Sequence, residues 1–317
     1  MTNPEKSFSR REFLITVSAA FFTIISPSFF YHGTSPRLMT QESIRITASP
    51  EENINKEVSI ILAGDTMLGR TVQIKSRELN NFNYPFEKVA GTLKEANLVF
   101  INLENSINEE CPSVSEGYLL CAKPEAAKGL AFAGIDIVNL ANNHTGAFGK
   151  KGIDATRDAL RKEGIEATGI GGLLVKEVKK TKFGFLGFDF TSKLPGVGDY
   201  ELITFSKSEV DILIVGVHWG TEYMSEPNKD QKIWAVKMVE AGADVIVGHH
   251  PHWVQTVEFI NGKPVYYSLG NFVFDQMWSE ETKKGMVVRL TFKDAKLVKE
   301  ERLPIYMSSW AQPEFVE

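Results

Sequence analysis

Short apolar runs, many of them β-branched, recur along the chain, and each stops abruptly at polar residues. Val58–Ala63 ends in Gly64-Asp65, Leu98–Leu103 in Glu104, and Ile135–Ala141 in Asn142-Asn143-His144. Ile212–Val217 ends in His218, and Val245–Gly248 in His249-His250-Pro251-His252. Such runs, bounded by turns, predict buried strands. Helical patterns lie between them. One covers Ile153–Arg161, with Gly164 placed to end it. Another covers about Asn228–Ala241, with Ile233, Trp234, Val236 and Met238 or Val239 facing inward and Gly242 as the stop. Strands alternating with helices predict an α/β fold whose ligands lie beyond the carboxyl ends of the strands. All five polar terminations should then converge on one edge.

No repeat or composition break interrupts residues 57–293, which read as one domain, and residues 294–317 read as a tail that packs back only in part. Ahead of the domain, Ser9-Arg10-Arg11-Glu12-Phe13-Leu14 sets a twin arginine before the apolar run Phe13–Tyr31. Residues 1–33 therefore read as a twin-arginine export signal or a retained N-terminal anchor, and 34–56 as a polar linker. At ~1.5 Å per residue the run is just long enough to span a bilayer core. The protein is expected in the cell envelope or outside the cell, secreted or anchored to the membrane through this segment. In an oxidising compartment Cys111 and Cys121 are expected to pair, two free thiols in a loop being the alternative.

Composition narrows the chemistry. A net charge of −5 argues against a nucleic-acid binder, and two cysteines are too few for a thiolate metal cluster. Of six histidines, only His32 lies outside the strand terminations. Asp65, Glu104, Asn143, His144, His218, His249, His250 and His252 together offer carboxylate, amide and imidazole donors, a set that suits Mn, Fe or Zn. The donors exceed four, so two divalent ions are expected, a pair that would make a bound water acidic enough to attack at neutral pH. His144 is the candidate general acid. Arg70 could grip an anion with its guanidinium fork, or be an ordinary surface arginine. Trp219, Tyr223 and Trp253 adjoin the histidine motifs and are either pocket walls or core. No phosphate-binding G-x-x-x-x-G-K-[ST] loop or G-x-S-x-G elbow is present in the sequence, which argues against a nucleotide motor or a serine hydrolase.

Six blocks occur in order between Val58 and Val288: Gly64-Asp65-Thr66-Met67-Leu68-Gly69-Arg70, Asn102-Leu103-Glu104, Asn139-Leu140-Ala141-Asn142-Asn143-His144, His218-Trp219-Gly220-Thr221-Glu222-Tyr223, Gly248-His249-His250-Pro251-His252 and Tyr267 to Asp275. In combination they resemble the CapA family, capsule-synthesis proteins linked to bacterial poly-γ-glutamate, which is similar to the calcineurin-like metallophosphatases. The resemblance implies a metallophosphatase-like sandwich of two β-sheets flanked by α-helices. It implies Asp65 as the first-strand metal ligand, Glu104 as a bridging acid, and Asn143 as the amide ligand with His144 as the adjoining acid. His218 matches the fourth-strand ligand, and His250 and His252 match the final His-x-His, with His249 leaving the register open.

Three departures stand out. Asp65 lacks the following Asp-x-His partner, Thr145-Gly146-Ala147-Phe148-Gly149 replaces the family's Asp-Tyr-Gly, and the stretch from Gly169 to Asp211 is short. The expected function is an exported capsule-biosynthesis protein with a di-metal, phosphoesterase-like hydrolase site. Its substrate would be an anionic polymer or a phosphoester, and its partner a capsule-synthesis membrane complex. Hydrolysis or transfer at the glutamyl amide is a weaker idea, and a non-catalytic accessory or anchoring component is the main alternative.

Overall fold

The apolar runs that end in polar residues become the central strands of two sheets. This computed structural model describes residues 57–317, so the twin-arginine segment and the linker lie outside the described residues. Along the chain, β1 (Glu57–Thr66), α1 (Arg70–Glu78) and α2 (Ala90–Leu93) lead to β2 (Leu98–Leu103) and the short pair β3 (Ser106–Ile107) and β4 (Cys121–Ala122). Then come α3 (Ala126–Ala133), β5 (Ile137–Asn139), α4 (Gly149–Lys162), β6 (Glu166–Thr168), β7 (Leu174–Val178) and β8 (Thr181–Asp189). They are followed by α5 (Val197–Glu209), β9 (Ile212–His218), α6 (Lys229–Ala241), β10 (Val245–His249), β11 (Val257–Ile260) and β12 (Lys263–Tyr266). The chain closes with β13 (Asn271–Val273), α7 (Glu280–Lys283), β14 (Lys284–Lys293), β15 (Lys296–Ser309) and β16 (Gln312–Phe315).

One sheet runs β16-β15-β14-β1-β2-β5-β6, with β13 also paired to β1, and the other runs β11-β12-β10-β9-β8-β7. Strands β2, β9 and β10 are buried along their whole length, which is why they read as continuous apolar runs rather than alternating ones. Strand β1 shows how the period of two divides its side chains. Ile60 and Leu62 join Phe100, Phe185, Ile214 and Val247 between the sheets, while Ile61 and Ala63 face the core under α3 and α4. Phe100 and Phe185 stack across the inter-sheet layer with ring centroids 5.7 Å apart. The second sheet's outer face packs Leu213, Val215 and Val217 against Ala235, Met238 and Val239 of α6. The result is the helix-sheet-sheet-helix sandwich that the family resemblance implies.

Two expectations are corrected. Residues 294–317 do not pack back only in part: β15 pairs with β14 over nearly its full length and β16 pairs with β15, burying Ile305, Met307 and Ala311. Helix α6 spans the predicted residues but buries Gln231, Ala235, Met238 and Val239, leaving Ile233 41% and Val236 39% exposed. Gln231 is drawn inward by hydrogen bonds. It closes a reciprocal cap with Asn228 and donates to Gln255 Oε1 at 3.0 Å, so a polar residue anchors the face that periodicity assigned to apolar ones. Cys111 and Cys121 are joined by a disulfide, with Cα atoms 5.7 Å apart.

Candidate metal centre

The carboxyl ends of strands from both sheets meet at one edge of the sandwich. Asp65 sits at the end of β1, where the pairing with β2 and with β13 shifts register. The chain can only pass there with a glycine before it, since an added Cβ at Gly64 would lie 2.0 Å from the Gly270 carbonyl oxygen. Glu104 follows β2 and is fixed by its N–H donating to the Thr66 carbonyl at 2.8 Å. Across the sandwich, His218 and His249 are register partners on β9 and β10. His250 (φ 95°) and His252 (φ 58°) follow in left-handed backbone, which costs a side-chain-bearing residue about 1–3 kcal/mol and is concentrated at functional sites.

Asp65, Glu104, His218 and His249 are wholly buried. Two groups of donor atoms lie within 4.8 Å of one another: Glu104, His218 and His250, and Asp65, Glu104 and His252. Glu104 belongs to both. Asn143 is exposed, yet its Oδ1 lies 3.0 Å from His218 Nε2, which adds an amide oxygen to the first group. The structure thus brings together Asp65, Glu104, Asn143, His218, His250 and His252. His249 lies beside them, its Nδ1 3.3 Å from Asp65 Oδ1 without hydrogen-bond alignment.

Both Glu104 oxygens are buried without a hydrogen bond. Oε1 lies 3.0 Å from His218 Nε2, but not in hydrogen-bond alignment. An unpaired buried carboxylate is costly unless a cation compensates it. Burial, reinforced by the Asp65 charge, pushes the Glu104 carboxyl up to about 8. Burial also acts to raise Asp65, but the neighbouring His249 and His252 outweigh it and hold that carboxyl well below its ordinary range. Burial drives His218 and His250 each down to about 3, so both are neutral imidazoles at neutral pH, the form that binds metal. Burial opposes charge on His252 too, yet the Glu104 and Asp65 carboxylates prevail and push it up to about 9. An oxygen and imidazole donor set around an orphaned, shared carboxylate fits divalent metal ions.

Several groups that hold the cluster were not singled out from the sequence. Asn102, paired with Asp65 across β1 and β2, donates from Nδ2 to Asp65 Oδ1 at 2.9 Å and lies 3.3 Å from His218 Nδ1. Its Oδ1 accepts from Asn139 at 3.2 Å and Asn142 at 3.3 Å. Asn271 Oδ1 accepts from His252 Nδ1 at 3.0 Å, which leaves Nε2 as the free ring nitrogen. A signal for Asn102 was present: it lies two residues before Glu104 and so faces the same side of the strand.

His144 is half-buried beside the cluster. Burial lowers its pKa, the Glu104 carboxylate opposes that shift, and the positive charges of His252 and Arg70 add to it. Arg70 is less free than its candidate role requires. Its Nε and Nη2 bind Asp275, and its Nη1 donates to the Gly117 carbonyl at 2.9 Å. Trp219 is core, donating to the Tyr267 carbonyl, whereas the Tyr223 ring stacks on His252 with centroids 5.9 Å apart.

Fold and site together define a metallophosphatase-like sandwich carrying candidate groups for divalent metals at its strand ends. The chain belongs to the family described as bacterial capsule synthesis protein PGA_cap, whose model matches residues 59–276. It is 32% identical over 271 residues to the capsule biosynthesis protein CapA of Bacillus anthracis, a match covering 76% of this chain and 65% of that protein. It is 29% identical over 311 residues to the PGA biosynthesis protein CapA of Bacillus subtilis, covering 90% of this chain and 78% of that one. The fold is similar to that of a hypothetical protein from Thermus thermophilus, with a TM-score of 0.53 at 13% identity over 78% of this chain and 98% of that one. Among the described residues no helix is long and apolar enough to cross a membrane.

Proposed function

We propose that this chain is an exported, metal-dependent hydrolase of capsule polymer synthesis, acting on a phosphoester. The observation that carries the reading is Glu104, a buried carboxylate with no hydrogen-bond partner, shared by two groups of metal donors. Divalent ions held there would supply Lewis acidity and a water acidic enough to attack at neutral pH. Asp65 and Glu104 supply the compensating negative charge. His218, His250, His252 and Asn143 complete the two donor sets, and Asn102 and Asn271 fix their orientation. His144, unpaired beside the cluster, donates a proton to the leaving oxygen from its protonated form, a minority at neutral pH because burial lowers its pKa. With its fork committed to Asp275, Arg70 contributes a fixed positive charge rather than a two-pronged grip on substrate. The reading includes export through the twin-arginine segment and work beside a capsule-synthesis membrane complex.

That commitment of Arg70, and a loop after His144 without a carboxylate, favour one competing reading: a non-catalytic accessory of capsule synthesis that retains its metals. Elemental analysis of natively exported protein, followed by assay of phosphomonoesters and phosphodiesters, separates the two. Two equivalents of Mn, Fe or Zn with turnover abolished by chelation is the expected result. Bound metal without turnover of either ester would favour the accessory role.

A further inference from the structure

Beyond the metal donors, the aromatic pair of Tyr223 and the exposed Trp278, beside His252, has no task in the proposed chemistry. Trp278 is 62% exposed, unusual for the largest apolar side chain. It is not loosely placed. Its ring meets Tyr223 edge to face, with centroids 4.9 Å apart at 80°, and Tyr223 in turn stacks on His252 at 5.9 Å. Trp278 therefore lies within two ring-to-ring steps of a metal-donor histidine.

Tyr223 is held in place by more than stacking. Its backbone is left-handed, at φ 61°, and its N–H donates to the Pro251 carbonyl at 2.8 Å. Its hydroxyl accepts from Gln276 Nε2 at 3.2 Å, Gln276 Oε1 accepts from Asn271 Nδ2 at 3.1 Å, and Asn271 Oδ1 accepts from His252 Nδ1. A strained backbone and a hydrogen-bonded relay thus tie the aromatic pair to the metal-donor loop. A hydrophobic core would account for a buried Trp, but not for an exposed one held this way.

We propose that Tyr223 and Trp278 form a stacking platform for a flat ring carried by the phosphoester substrate, with Trp278 as the specificity-determining residue. The proposal rests on the phosphoesterase reading and deepens it by naming the substrate class: a phosphate ester with an aromatic ring directly beyond the ester oxygen. An indole face suits such rings, since stacking adds about 0.5–1.5 kcal/mol beyond area burial. It offers nothing comparable to a short alkyl chain.

Phosphonates test this without requiring turnover. Calorimetric titration of the metal-loaded protein with phenylphosphonate and methylphosphonate should show phenylphosphonate binding several-fold tighter. Trp278→Ala should remove that preference while leaving methylphosphonate affinity and metal content unchanged. Trp278→Phe should restore part of it. Equal affinities in the unaltered protein, or a preference that survives Trp278→Ala, would overturn the platform and leave the phosphoesterase reading standing. Failure of both phosphonates to bind would overturn that reading and the platform with it.

Discussion

Glu104 and Asn271 represent two kinds of residue at this centre, one whose charge needs a cation and one that aims a ligand. Asp65→Asn and His218→Ala each remove a donor from a different group, so each should lower metal occupancy in a protein that still folds. Full occupancy in both variants, measured by elemental analysis, would refute the donor assignment. Asn271→Ala removes no donor. It leaves the His252 ring without its Nδ1 acceptor, and outer partners of this kind are worth ~10–100-fold in metal affinity. Competition against a chelator of known strength should find a loss in that range. The donor residues were legible because histidines and acids follow apolar runs. Asn271 was not, since its partner is 19 residues away and meets it only through the placement of β13 beside β1.

Among the elements, the loop closed by Cys111 and Cys121 is stitched to the segment that follows Asp65. Thr71 Oγ1 donates to the Ser115 carbonyl at 3.0 Å, Arg70 reaches Gly117, and an added Cβ at Gly69 would lie 2.1 Å from the Cys121 carbonyl oxygen. Opening the disulfide frees the loop that receives Arg70 and Thr71. Replacing both cysteines with alanine should cost about 2–3 kcal/mol by loop-closure arithmetic, read as a drop in Tm of several degrees. An unchanged Tm would mean the loop is held by its hydrogen bonds alone. Helix α6 shows the limit of periodicity at this scale. Its span was readable from Asn228 and Gly242, but its inward face was not, because a hydrogen bond from Gln231 to Gln255 outweighs the apolar count.

For the whole molecule, the buried cluster links stability to pH. Between pH 7 and 9 the unfolded chain carries Glu104 ionised and His252 neutral, given ordinary values of 4.5 and 6.5. The folded, metal-free cluster holds protons that the unfolded chain has already released, because Glu104 is raised to about 8 and His252 to about 9. It gives them up as pH rises through those values. The folded state then binds more protons, so its stability falls as pH rises, on the order of 1 kcal/mol per pH unit. His218 and His250, lowered to about 3, are neutral in both states across this window and add nothing there. Metal must displace whatever protons the cluster still holds, so affinity should climb over the same range. Tm measured from pH 7 to 9 should therefore fall with chelator present and hold or rise with Mn or Zn. A chelated protein with flat Tm would show that the protons are not held.

The sequence by itself determined that this is an α/β protein, where its central strands end, and which carboxylates and histidines stand at those ends. These are local properties, written in runs of a few residues. Only the tertiary structure decided the rest. The tail became β15 and β16 because β14 offered an edge to pair with. Arg70 was bound by Asp275, 205 residues away. Glu104 came to be shared by two groups of donors, and Trp278 came to stand beside His252 through Tyr223. Each of these depends on the order and register of strands in two facing sheets, which non-local pairing and packing set and no short window of sequence contains.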